Sequence, residues 1–170
     1  MANSTTPDAV IVDLLGTART ARCHNGFFCQ QQLKFLHDVL RSNVDHLRDA
    51  IKQDTKVTDA EATTEVAAVL DIVKEHYTSI DPKQELEDEY RVARGKNALD
   101  RSVPWGVVYI EPDLGHTASF SVLSATTAAL AAGNCVALKL DNNLQSLPSF
   151  SEPSSPDSAT IRLINLGVVN

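Results

Sequence analysis

Residues 104–140 constrain the fold of this chain more than any other stretch, because they encode a strand, a helix and a second strand in succession. The first strand is predicted at Val107–Ile110, a short run of β-branched and aromatic residues that stops before Pro112. Such a continuous apolar run is typical of a strand buried on both faces of a parallel sheet. Trp105, just before it, is expected to pack against the edge of the sheet.

The helix is predicted over residues 117–132, where apolar side chains repeat at helical spacing among small residues. Gly133 can adopt the left-handed conformation that ends a helix, and residues 135–138 then form a second short apolar run. A strand–helix–strand unit of this kind is right-handed in almost every protein, so its first loop opens at the carboxyl edge of the sheet. Ligands of α/β proteins bind at that edge.

One short motif lies before this helix, and another covers its end. Residues 104–108 read PWGVV, and ALAAGN at residues 129–134 leads into Leu138 and Lys139. They resemble the Pro-x-Gly-Val-Val and Ala-Leu-Ala-Ala-Gly-Asn motifs of the NAD(P)-dependent aldehyde dehydrogenases, of the fatty or aromatic aldehyde type. The resemblance extends over most of residues 20–148, so it covers the larger part of the chain.

The resemblance implies an α/β fold in which N-terminal amphipathic helices pack on the start of a Rossmann-like parallel sheet. It also implies an NAD or NADP cofactor, an aldehyde substrate and a homo-oligomeric parent enzyme. A family domain needs on the order of three times this length, so the chain resembles a truncated N-terminal part of one. We therefore expect a flexible N-terminus at 1–20, a partial cofactor-binding domain at 21–148 and a disordered or non-family tail at 149–170.

Lys139 matches the family lysine that contacts the adenosine ribose, and the resemblance makes it the candidate cofactor-binding residue. The alternative is a plain surface charge, because residues 140–142 replace the family's Pro-Ser-Glu with Leu-Asp-Asn. The loop after the first strand also departs from the family, since residues 112–114 stand where Trp-Asn holds the developing oxyanion. Leu114 cannot donate a hydrogen bond, and Asp113 would oppose a developing negative charge.

The nucleophilic cysteine and the general-base glutamate of the family come from a stretch downstream of the lysine strand. We expect neither in this chain, so no catalytic residue is assigned and the chain is expected to be inactive on its own. No Gly-rich phosphate loop replaces the cofactor turn of the family, because the seven glycines are scattered.

Helices are predicted before the crossover. Apolar residues recur every three or four positions over residues 30–54, which predicts one amphipathic helix. Thr58 and Glu61 form a capping box that starts a second helix, antiparallel to the first. A charged segment at 81–90 is interpreted as a solvated face. An uncovered apolar face on the helices at 30–77 is the basis of an alternative function, a non-catalytic interaction or dimer-decoy module.

Composition excludes other classes of function. A formal net charge of −7 argues against nucleic acid or an anionic membrane as a partner. No apolar run approaches the length of a membrane span, and the first residues do not form a secretory signal, which predicts a cytoplasmic protein. Three cysteines are too few for a disulfide framework, and an odd number cannot all pair within one chain.

The remaining reactive side chains are expected to have structural roles. Cys23 and His24, with Cys29 nearby, contain the elements of a nucleophilic pair or of part of a metal site, but ordinary packing or surface exposure is preferred. Cys135 is predicted to be inert core on the second strand. His116, at the mouth of the crossover, carries the side-chain type best suited to proton transfer at neutral pH, but it is expected to cap a helix or face solvent. No metal site is assigned.

Overall fold

The computed structural model describes residues 7–20, 24–97, 99, 101, 103–111, 117–139 and 161–164. These residues form a mostly helical α/β structure with a small parallel sheet. In chain order the described elements are α1 (Pro7–Arg19), α2 (Gly26–Ser42), α3 (Val44–Thr55), α4 (Asp59–Ser79), α5 (Pro82–Ala93), β1 (Val107–Ile110), α6 (Ala118–Ala131), β2 (Cys135–Lys139) and β3 (Ile161–Ile164). No helix within the described ranges is both long enough and apolar enough to cross a bilayer.

The predicted strand–helix–strand unit is confirmed. β1 and β2 are neighbours in a parallel sheet, with Val107 opposite Cys135 and Ile110 opposite Leu138. α6 connects the two strands and packs on both. Gly133, at φ 77°, follows α6 in the left-handed conformation that a residue without Cβ adopts readily. β1 and β2 therefore end at the same edge of the sheet.

β3 adds a third parallel strand, so that the order in the sheet is β1-β2-β3. In this register Lys139 lies opposite Ile164. β3 lies within residues 149–170, the tail that is predicted to be disordered or non-family. The other residues of that tail lie outside the described residues. β2 is the central strand among those described, and it is buried from Cys135 to Leu138.

Alternate side chains of β2 face two helical layers, as the period of two of a β-strand requires. Cys135 and Ala137 pack with Leu14 of α1 on one face. Val136 and Leu138 belong to a second cluster on the other face, to which α2 and α6 contribute. The small sheet is thus covered by helices on both faces.

The N-terminal segment at residues 1–20, for which flexibility is predicted, contains a helix among its described residues. α1 occupies most of this segment, and its Leu14 is fully buried. The physical reason is the sheet face that α6 leaves open, since full burial of a leucine side chain contributes about 1.5–3 kcal/mol. The domain boundaries after residues 20 and 148 stay predictions.

The single helix predicted over residues 30–54 is wrong, because the chain breaks it into α2 and α3 at Asn43. The Asn43 side chain donates from Nδ2 to the carbonyl oxygen of Val39 at 2.8 Å. Its backbone N–H donates to the carbonyl of Leu40 at 3.2 Å. Asparagine competes in this way with regular helical hydrogen bonding. The apolar spacing continues across the break, so periodicity did not reveal it.

α4 returns antiparallel to α2 and α3, as predicted. The predicted capping box of Thr58 and Glu61 opens α4. Lys52, near the end of α3, binds Asp59 at the start of α4 at 2.8 Å. At the other end, Gln30 of α2 donates from Nε2 to backbone carbonyl groups at the end of α4. These contacts fix the direction of α4 at both of its ends.

The apolar face of α2, α3 and α4 is covered, which corrects the uncovered face assumed for residues 30–77. Phe120 and Leu123 of α6 pack against it, because the crossover brings α6 onto the helical layer. The buried members of this cluster are Leu40, Leu47, Ile51, Ala62, Val66, Val69 and Val73. α5 has no buried residue, so the solvated face predicted there is confirmed.

The prediction that Trp105 packs against the edge of the sheet is wrong, because its side chain is 95% exposed. Gly106, at φ 114°, turns the backbone directly before β1. A side chain with Cβ adopts that conformation only with strain, so glycine suits this turn. Trp105 consequently lies outside the sheet, on the connection between α5 and β1.

Candidate functional site

β1 and β2 bring two oppositely charged side chains to the carboxyl edge of the sheet. Glu111 directly follows β1, and Lys139 is the last residue of β2. The Nζ atom of Lys139 and the Oε1 atom of Glu111 form an ion pair. The two residues are 28 positions apart in the chain, and they meet because parallel strands end at the same edge.

Tyr109 completes this group, which we name the edge site: Lys139, Glu111 and Tyr109. The Tyr109 hydroxyl donates to Oε2 of Glu111 at 3.4 Å, so each carboxylate oxygen has its own donor. The side chains of Glu111 and Lys139 are 58% and 33% exposed. Tyr109 is half exposed. The edge site is therefore held in place by its own contacts while remaining open to a ligand.

The electrostatics of the edge site keep its carboxylate charged. The hydrogen bond and the positive charge of Lys139 lower the pKa of Glu111 below its ordinary value, against a smaller opposing effect of desolvation. The Tyr109 hydroxyl lowers this pKa further. At neutral pH the edge site thus offers an ammonium donor and a carboxylate acceptor, and their charges balance. This combination suits a ligand that is rich in hydroxyl groups.

The amino end of the same strands is closed by hydrogen bonds. Oδ1 of Asn134 accepts from the N–H of Gly106 at 3.0 Å. The Cys135 N–H donates to the carbonyl oxygen of Gly106 at 2.8 Å. Nδ2 of Asn134 donates to the carbonyl oxygen of Ala129 at 3.3 Å. Asn134, which is 5% exposed, therefore joins the start of β1 to the end of α6.

The sequence model of the aldehyde dehydrogenase family matches residues 30–145. This chain belongs to the aldehyde dehydrogenase family. The matched region runs from α2 to β2 and contains the whole edge site, whereas α1 and β3 lie outside it. Searches of curated proteins and of solved structures gave no significant match. Aldehyde dehydrogenases are oxidoreductases that act on aldehydes and generally use NAD or NADP.

In this aldehyde dehydrogenase chain the helical layer also positions the start of α6. Glu65 of α4 is 7% exposed, and its Oε1 accepts from the N–H of Phe120 at 3.0 Å. Thr117, the residue before α6, makes no side-chain capping bond. A carboxylate near a helix N-terminus satisfies an unpaired N–H and interacts favourably with the helix dipole. Glu65 was missed from the sequence because its partner lies 55 positions away.

The other reactive side chains do not assemble into a second site among the described residues. Cys29 and Cys135 are buried, which confirms the predicted core position of Cys135 on β2. His24 is exposed, apart from the buried Cys29. The part of the chain that the structure describes contains no group of three or more His, Cys, Asp or Glu placed to hold a metal ion. Cys23, Asp113, Leu114 and His116 lie outside the described residues.

Proposed function

We propose that this chain is the ribose-binding part of an NAD(P)-dependent aldehyde dehydrogenase of the fatty or aromatic aldehyde type, located in the cytoplasm. The parent reaction oxidises an aldehyde to a carboxylic acid. The observation that supports this most directly is the position of Lys139 at the carboxyl end of the central strand β2. Ligands of α/β proteins bind at that edge, and helices on both faces of the sheet support a Rossmann-like arrangement.

The donors and acceptors of the edge site fit one end of a dinucleotide. The Lys139 ammonium can donate to ribose oxygens, and the Glu111 carboxylate can accept from ribose hydroxyls. When bound, the nicotinamide cofactor supplies the hydride acceptor of the reaction. The residues of this chain bind and orient the adenosine end, while the described residues contain no Gly-rich turn for the pyrophosphate.

Direct binding tests the role of Lys139. We expect NAD or NADP to bind the purified chain in isothermal titration, and Lys139→Met to weaken binding about tenfold or more, as expected for loss of a charged hydrogen bond. The matched control is Lys52→Met, which removes a lysine from an exposed ion pair between α3 and α4 and should leave the affinity unchanged. Equal affinities for Lys139→Met and the unaltered chain would contradict the proposal.

We expect no aldehyde oxidation by this chain alone. The nucleophile of such a reaction is an accessible thiolate, whereas both cysteines that the structure describes, Cys29 and Cys135, are buried. In sequence Leu114 aligns with the family's amide donor, and loss of one oxyanion donor lowers a rate by roughly 10²- to 10³-fold in other enzymes. NADH or NADPH formation from aliphatic and aromatic aldehydes measures this directly. Turnover that iodoacetamide abolishes would overturn the expectation.

A second candidate function is a non-catalytic interaction or dimer-decoy module whose partner is another copy of the chain. It is supported by Leu99, Val103 and Trp105, which are 86%, 64% and 95% exposed between α5 and β1. Exposed apolar side chains on one connecting segment can contribute to an interaction surface. Light scattering should then show a dimer that Val103→Ser combined with Trp105→Ser converts to monomer. A stable monomer of the unaltered chain would exclude this candidate.

A further inference from the structure

We propose that Glu111 makes the edge site select the unphosphorylated ribose of NAD over the 2′-phosphorylated ribose of NADP. This inference rests on the proposed function, because it concerns the same ligand and the same edge of the sheet. It adds a specificity-determining residue that the sequence did not single out. Glu111 and Lys139 are in direct contact at the carboxyl edge of the sheet.

The contact between the two side chains sets which ligand atoms Glu111 can reach. Nζ of Lys139 is hydrogen-bonded to Oε1 of Glu111. A ribose oxygen within hydrogen-bond distance of the ammonium therefore lies in the immediate neighbourhood of the carboxylate. Glu111 follows β1 directly and Lys139 ends the adjacent strand β2, so both side chains start from the same edge of the sheet.

The charge of the pair decides between the two cofactors. An unpaired lysine at this edge would attract a 2′-phosphate, because basic side chains accommodate that group in dinucleotide sites. Glu111 balances the charge of Lys139 and adds repulsion against a phosphate dianion. A carboxylate accepts hydrogen bonds readily from a ribose 2′-hydroxyl. The pair therefore favours the hydroxyl and opposes the phosphate.

The carboxylate also keeps acceptor capacity for a ligand. An ionised carboxylate has about four lone-pair positions on its two oxygens. In the edge site Lys139 donates to Oε1, and the Tyr109 hydroxyl donates to Oε2. Each oxygen retains a position that can accept from a ribose hydroxyl. Tyr109 holds the orientation of the carboxylate while that hydroxyl binds.

Titration of NAD and NADP into the unaltered chain and into Glu111→Gln tests this directly. We expect the unaltered chain to favour NAD by about tenfold or more, since placing like charges together is strongly unfavourable. Glu111→Gln should lose most of this preference and bind NADP more tightly, because the side chain at position 111 then no longer neutralises the charge of Lys139 or repels the phosphate. Adding Lys139→Met to Glu111→Gln should abolish the gain in NADP affinity.

The matched control is Asp59→Asn, which removes a carboxylate paired with Lys52 elsewhere in the chain and should leave the NAD to NADP ratio unchanged. Thermal unfolding followed by circular dichroism checks that each variant is folded. If NAD or NADP binds and depends on Lys139 while Glu111→Gln leaves the ratio unchanged, only the selectivity of Glu111 is overturned. If neither dinucleotide binds the unaltered chain, the proposed function and this inference both fail.

Discussion

The amino and carboxyl ends of the same small sheet differ in how deeply their side chains are buried. At the amino end, Leu14 and Cys135 are fully buried and Asn134 is 5% exposed. At the carboxyl edge, Glu111 and Lys139 have side chains that are 58% and 33% exposed. β2 spans both environments within 5 residues. Packing and hydrogen bonding that hold the strands together are thus separated from charges that can meet a ligand.

The largest expected effect tests the packed end. Leu14→Ala should lower the free energy of unfolding by about 2–5 kcal/mol, because it removes a fully buried side chain from the contact between α1 and β2. Chemical denaturation measures the change. The control is Val12→Ala on the same helix, where the side chain is 68% exposed and the change should stay within about 0.5 kcal/mol. Equal effects at both positions would mean that α1 does not cover the sheet.

A smaller effect is expected from the hydrogen bonds of Asn134. Asn134→Ala should lower the free energy of unfolding by about 1–3 kcal/mol, since it leaves the Gly106 N–H without its side-chain acceptor. Thr78→Ala serves as the control, because it removes an exposed hydroxyl that bonds to a helix carbonyl. Denaturation curves that coincide for the two variants would argue against a closed amino end.

The smallest expected effect lies at the carboxyl edge and depends on pH. The pKa of Glu111 in the folded chain is lowered, chiefly by Lys139, from an ordinary value of 4.5. Its contribution to stability is therefore present above that value and is lost as the pH falls through the folded-state pKa. Glu111→Gln should be slightly less stable than the unaltered chain near neutral pH and equal to it in acid. Thermal midpoints of both chains across a pH series measure this. A difference between the two midpoints that does not change with pH would mean that the ion pair contributes nothing.

Local patterns in the sequence predicted the crossover closely. β1 was predicted at its observed bounds, because a short β-branched run between breaking residues has few other conformations. The break at Asn43 escaped prediction for the opposite reason. Apolar residues keep helical spacing on both sides of it, and the decisive side-chain bond to Val39 is a local competition that periodicity does not report.

The residues of the candidate site were also predicted only in part from the sequence. The resemblance to the family pointed to Lys139, and the structure places it at the carboxyl edge as a parallel strand requires. Its partner Glu111 was not found from the sequence, since no local spacing connects residues 28 positions apart. Glu65 and Asn134 were missed for the same reason. Their roles depend on which helix and strand termini become neighbours in space.

The central position of β2 determines how Lys139 is held. β2 lies between β1 and β3, so its amide hydrogens are bonded on both sides, whereas β1 has a neighbour on one side only among the described strands. Amides of such inner strands exchange with deuterated solvent last, because they open only when large parts of the molecule do. Lys139 therefore lies at the end of the segment whose amides we expect to exchange most slowly in this sheet. Its backbone is held by β2, while its side chain is accessible to solvent and ligand.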